Sequence, residues 1–150
     1  MKLSARQVLA MARLAQERGE QLDLQGRDLS NLSLYRAQLK GADLSEADLT
    51  QTNLGKADLS QAILLKATLG GADLLGADLA QANLSRADLF QANLIRADLR
   101  GADLREAYLG GADFTDANLE GADLRGARYT AYTTWCVDFD PDAAGAIRRL

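Results

Sequence analysis

This chain carries few side chains with which to do chemistry. Its 150 residues include no histidine, so no Ser-His-Asp or Cys-His arrangement and no His-containing zinc site can be assembled from it. Cys136 is the single cysteine, which excludes an intramolecular disulfide and any cysteine cluster. The neighbouring charge, Asp138, has the wrong sign to lower a thiol pKa, so Cys136 is expected to pack beside Trp135 rather than react. Gly70-Gly71 and Gly110-Gly111 recur at turn positions with no helix after them and resemble no phosphate loop. What remains is carboxylates, recurring in blocks such as Ala42-Asp43-Leu44, with Asn in the same place in Ala82-Asn83-Leu84. The expectation is a protein with no catalytic residues, no cofactor and no small-molecule substrate.

Those blocks belong to a register that dictates the fold. From Leu24 to Tyr129 a large apolar residue returns every five positions, with Ala two places before nearly every one and usually Asp or Asn one place before. A five-residue step turns a helical side chain by roughly 140°, and on a strand any odd step reverses the face, so neither element keeps these leucines together. The pattern requires a chain that turns once per repeat, as in a solenoid whose coils bury a shared core. Ala then occupies the narrow interior beside each turn, where a larger side chain would overpack. The three remaining positions are mostly polar or Gly, as suits an outer surface and its corners.

Repeated Ala-(Asp/Asn)-Leu-x-x over residues 22–139 resembles the pentapeptide repeat family. The resemblance implies an all-β solenoid, a right-handed quadrilateral β-helix with four pentapeptides to a coil. Residues 22–129 would then form five to six coils, a rod of roughly 26 Å at the usual strand spacing. A middle leucine such as Leu84 is expected to be better enclosed than an end one such as Leu24. On a twenty-residue coil Asp58, Asp78 and Asp98 stack on one wall. A flat wall presents its carboxylates side by side instead of converging them as calcium requires, so bonding to turn backbone, or plain solvation, is expected and metal binding is not.

The ends break the repeat, and the whole reads as a single domain. Residues 1–21 are predicted to be a capping helix: Leu3 and Val8 suit a hydrophobic staple, Ser4 and Gln7 a capping box, and Gly19 the end. Its stripe of Val8, Met11, Ala12 and Ala15 would cover the open first coil, an edge that must be protected. Residues 130–150 are predicted to be a degenerate last coil followed by a second short helix from Asp140-Pro141 to near Leu150. Larger residues at the inward alanine position, Leu22, Arg27 and Leu32 at one end and Tyr132 and Val137 at the other, are read as contacts with the two caps. Thr134-Trp135 followed by Phe139-Asp140-Pro141-Asp142-Ala143-Ala144-Gly145-Ala146 also resembles the tail of many cyanobacterial members of the family.

Some members of the family imitate duplex DNA and modulate gyrase, which offers an alternative function. Residues 22–129 hold sixteen acidic against eleven basic residues, a net of −5. DNA of the same length would carry about fifteen charges, so mimicry of the substrate of gyrase or another DNA-binding protein is the less favoured reading. A net charge of −4 without a basic, aromatic-bearing stripe also argues against nucleic-acid binding. The leading reading is a non-enzymatic interaction module or scaffold, engaging a protein partner or a second copy of itself. Its candidate surface comprises the outward apolar residues of the middle coils: Ile63 and Leu65 on one wall, Phe90 and Tyr108 on the next, Leu75 and Ile95 on the third. Directly below and above Phe90 stand Gly70 and Gly110, which are expected to leave its ring uncovered. Residues 1–21 contain Arg6, Arg13, Glu17 and Arg18 and no uninterrupted signal-length apolar stretch. Membrane association is therefore not expected, and a cytoplasmic location is.

Overall fold

The computed structural model describes residues 2–150. Helix α1 spans Ala5–Arg18. The Ser4 side chain accepts the Gln7 N–H while Gln7 caps the Ser4 N–H in return, and Gly19 closes the helix in the left-handed region at φ 65°. This reciprocal box satisfies donors that a helix start otherwise leaves orphaned. Val8 and Ala12 are buried, with Leu3, Met11 and Ala15 packed against the same core. No helix among the described residues is long and apolar enough to cross a membrane.

From Asp23 onward the backbone pairs in parallel with the residue twenty places ahead, as in Asp23 with Asp43, Asp28 with Asp48, Ser33 with Asn53 and Gln38 with Asp58. Four pentapeptides therefore complete one coil and define four walls. The walls are centred on the columns beginning at Leu24, Leu29, Leu34 and Leu39, called here the first to the fourth. Each rung is bonded on both sides: Leu84 N–H donates to the Asp103 carbonyl at 2.7 Å, and Asp103 N–H to that of Ala82 at 2.9 Å. At each corner the Ala N–H closes a turn onto the preceding Leu carbonyl, Ala62 to Leu59 at 3.0 Å for example. The residue just before that Ala takes a positive φ, 58° at Gln61 and 54° at Lys56, as the third residue of a type II turn does.

The core is one continuous cluster of inward leucines and alanines, drawn from all four columns and running the length of the rod. Thr52, fully buried at an alanine position, is accommodated because its hydroxyl donates to the Leu29 carbonyl at 2.8 Å. Leu24 is as fully buried as Leu84, both at 0% exposure, so the expected difference between end and middle is absent at this end, where α1 packs on the core. Leu22 and Leu32 pack into that region, whereas Arg27 is exposed.

The C-terminal end departs from expectation in two ways. Among the described residues there is no second capping helix. Asp140 caps only a turn, its Oδ1 accepting from Asp142 and Ala143 N–H, and Gly145 at φ 86° takes the chain out of it. The following strand β2 (Ile147–Arg148) pairs in parallel with β1 (Arg128–Tyr129) and adds a seventh rung to the second wall. The chain thus covers part of its open edge with another rung. The register also slips by one residue after Tyr129, because Asp113 pairs with Thr134, twenty-one places on. Trp135 consequently takes the inward place on the third wall and stacks on Phe114, ring centroids 4.9 Å apart. Thr133 takes the alanine place, its hydroxyl donating to the Leu109 carbonyl at 2.9 Å as Thr52 does to Leu29. Tyr132 and Val137 are expelled to 85% and 86% exposure and do not contact a cap.

Candidate functional site

The recurring acids serve the fold. Oδ1 of Asp43, Asp58 and Asp78 accepts the backbone N–H two residues on, from Ser45, Ser60 and Ala80 at 2.9, 3.0 and 2.9 Å. Asn53 and Asn83 do the same for Gly55 and Ser85, each at 3.0 Å. One side-chain oxygen is all that this Asx turn needs, which accounts for Asp and Asn alternating freely. In Asp98, Asp103 and Asp123 the second oxygen also holds an arginine two residues on: Arg100 at 2.5 Å, Arg105 at 2.6 Å and Arg125 at 2.6 Å. Hydrogen bonding from Arg125 is the main cause holding the Asp123 carboxyl at about 2, below the ordinary 3.8. Asp58, Asp78 and Asp98 do stack on the fourth wall, each oriented by its own turn. Among the described residues no three His, Cys, Asp or Glu side chains are grouped to hold a metal ion. Cys136 is partly buried against the core, and that burial raises its thiol pKa, away from reactivity at neutral pH.

The six outward apolar residues lie on three walls. Ile63 and Leu65 sit half-buried on the first, and Leu75, exposed, and Ile95, half-buried, occupy successive coils of the third. Phe90 and Tyr108 on the second wall are brought together, their rings nearly parallel with centroids 6.1 Å apart. The Phe90 ring is therefore not uncovered. Tyr108 leans across the space left by Gly110, where even a Cβ would stand 2.5 Å from the tyrosine hydroxyl. The guanidinium of Arg128, one coil further, lies 5.7 Å from the Tyr108 ring.

Phe90 and Tyr108 form one side of a groove of about 370 Å³ that continues past Tyr132 to Arg148, Arg149 and Leu150. The other four apolar candidates do not line it. It exists because the register slip expels Tyr132 and because β2 carries the chain end back beside the second wall. Sequence reading missed the groove's C-terminal half; the Arg148-Arg149 pair was the available signal, obscured by assigning those residues to a helix. Among the described residues no Asp or Glu side chain lines the groove, and Arg128, Arg148 and Arg149 enter no ion pair.

A four-walled solenoid of five-residue sides defines the class of protein. The family model for pentapeptide repeats (8 copies) matches residues 21–55, 52–91 and 92–128, and the chain belongs to the pentapeptide repeat family. Among solved structures, a pentapeptide repeat protein (Rfr23) from the cyanobacterium Cyanothece 51142 is 39% identical over 66% of this chain and 64% of its own, with a TM-score of 0.45. The match thus spans slightly less than two thirds of that protein. A pentapeptide repeat protein from the Arabidopsis thaliana thylakoid lumen is 30% identical over 81% of this chain and 71% of its own, TM-score 0.45. One from Nostoc Pcc 7120 is 31% identical over 97% and 96%, TM-score 0.38. No curated protein matches. The description of the matched family names a repeat and no enzymatic activity.

Proposed function

We propose that this protein is a non-enzymatic interaction module that engages a protein partner through the groove beside Phe90 and Tyr108. The observation that carries the reading is the gathering of Phe90, Tyr108, Tyr132 and Leu150 around one solvent-facing concavity on a rod whose outward positions are otherwise mostly polar. Aromatic residues in a pocket are the composition of an interface centre. Leu75 and Ile95 extend the surface onto the adjoining wall, with Ile63 and Leu65 as its margin. On the sequence grounds given above, the module works in the cytoplasm without a cofactor. The test is affinity capture from the native cell followed by mass spectrometry, with the intact protein beside the Phe90→Ser/Ile95→Ser variant. Loss of specific partners in the variant supports the module. Identical capture, together with unchanged sedimentation of variant and wild type, removes this surface as a site and the reading with it.

A further inference from the structure

We infer that the occupant of the groove is an extended acidic peptide segment of a partner protein, carrying an aromatic or large aliphatic anchor a few residues from its carboxylates. The inference deepens the interaction-module reading and rests on it. Three features of the groove argue for it together.

The first is charge. The chain as a whole is acidic, with a net of −4, and in the middle and late coils Arg86, Arg100, Arg105 and Arg125 each hold a carboxylate within 3 Å. Arg148 and Arg149 line the groove, the Arg128 guanidinium lies outside its lining at 5.7 Å from the Tyr108 ring, and none of the three has a carboxylate partner among the described residues. A cluster of uncommitted guanidinium groups next to an apolar floor complements carboxylates adjoining an apolar side chain.

The second is the floor. Tyr108 lies with Phe90 on one side and the Arg128 guanidinium near its ring, so it is already held in place, with little rotamer freedom left to lose on binding. Phe90, at 44% exposure, presents the free apolar surface on which an anchor side chain would pack. The third is shape. From the coil of Phe90 to that of Thr130 the groove crosses two coil steps and continues to Arg149, a run of roughly 10–15 Å at strand spacing. Four residues of extended chain cover about 13 Å. Tyr132, 85% exposed, forms an open side instead of a lid, so the groove suits a segment lying along it better than a ligand that must be enclosed.

The experiment is selection of phage-displayed random dodecapeptides on the full chain, with depletion on the Phe90→Ser/Arg149→Glu variant. Enriched peptides should combine Asp or Glu with an aromatic or large aliphatic residue. A fluorescein-labelled member, followed by anisotropy, should bind at least tenfold more weakly to Phe90→Ser and to Arg148→Glu/Arg149→Glu. Its affinity should fall between 50 and 500 mM salt, and its Lys-for-Glu counterpart should prefer the Arg→Glu variant. Tyr132→Ser, altered at an exposed side chain, is the second test of the apolar side should Phe90→Ser disturb folding. Neutral or basic enriched peptides, or binding indifferent to these substitutions, would overturn the inference. So would a concentration-dependent dimer abolished by Phe90→Ser, since the groove would then hold a second copy. Any of these outcomes alongside native capture that still depends on Phe90 sinks the acidic occupant alone. Native capture indifferent to Phe90 and Ile95 sinks the module reading itself.

Discussion

At the scale of single residues, the acid before each leucine does two separable jobs. As an Asx-turn acceptor it needs one oxygen, which Asn supplies equally well, as Asn118 does for the Glu120 N–H at 3.0 Å. As an ion-pair partner it needs charge. Asp123 does both, accepting the Arg125 N–H at 3.1 Å and holding the guanidinium at 2.6 Å. Asp123→Asn should therefore keep the turn and lose only the pair, a cost at neutral pH of at most about 1 kcal/mol for side chains this exposed. Because the folded carboxyl is depressed to about 2 from the ordinary 3.8, the ionised form is the one favoured in the folded state. Its contribution is present above pH 4 and disappears as the pH falls through about 2. Thermal melts of wild type and Asp123→Asn should accordingly differ at pH 7, draw together as the pH falls towards 2 and converge below it. A difference that persists unchanged to pH 2 would show that the charge of Asp123 is not its source.

Among the elements, the inward columns and the two ends obey different rules. Leu84→Ala removes a side chain at 0% exposure with a neighbour on each side, and should cost about 2–5 kcal/mol through lost burial and an unfilled cavity. Leu24→Ala should cost about as much, since Leu24 is equally buried with α1 packed on the core. Leu119, already 7% exposed at the other end of its wall, should cost clearly less. Urea unfolding of the three variants would measure this, and a Leu119→Ala loss equal to that of Leu84→Ala would mean that the C-terminal end is closed after all. The strict five-residue register made the inward columns legible from sequence, and Ser4, Gln7 and Gly19 made α1 legible, because each is set by local chemistry. The far end was not. A single extra residue near Tyr132 moves Thr133 and Trp135 one place along the register, and Asp140-Pro141 starts a turn as readily as a helix. Only the packing of Trp135 on Phe114 and the pairing of β2 with β1 decide between these outcomes, and both are contacts between successive coils instead of between sequence neighbours. For the same reason Phe90 and Tyr108 could be named from sequence, whereas Tyr132, Arg148 and Arg149, which complete their groove, could not.

On the scale of the whole molecule, the proposed interaction module and an imitation of DNA make different demands on the distribution of charge. Sixteen acids against eleven bases in residues 22–129 already fall well short of the phosphate density of a duplex. The structure lowers the effective field further. Seven of the sixteen, Asp28, Glu46, Asp98, Asp103, Glu106, Asp116 and Asp123, lie within 4.0 Å of a basic side chain. Several of these pairs link one coil to the next, as Lys66 to Glu46 and Arg86 to Glu106 do, so cations are interleaved along the walls. A site built to grip a duplex reads a continuous line of negative charge, and meeting these guanidinium and ammonium groups there would leave like charges opposed. The purified protein is therefore expected to leave gyrase supercoiling unchanged at micromolar concentration in moderate salt. The measurement is a plasmid supercoiling assay titrated with the protein. Inhibition that weakened when Asp58, Asp78 and Asp98 were changed to Asn, substitutions that keep the Asx-turn acceptor and remove only charge, would reverse the ranking in favour of mimicry. Inhibition untouched by those changes but lost in Phe90→Ser would instead make gyrase a partner of the aromatic groove.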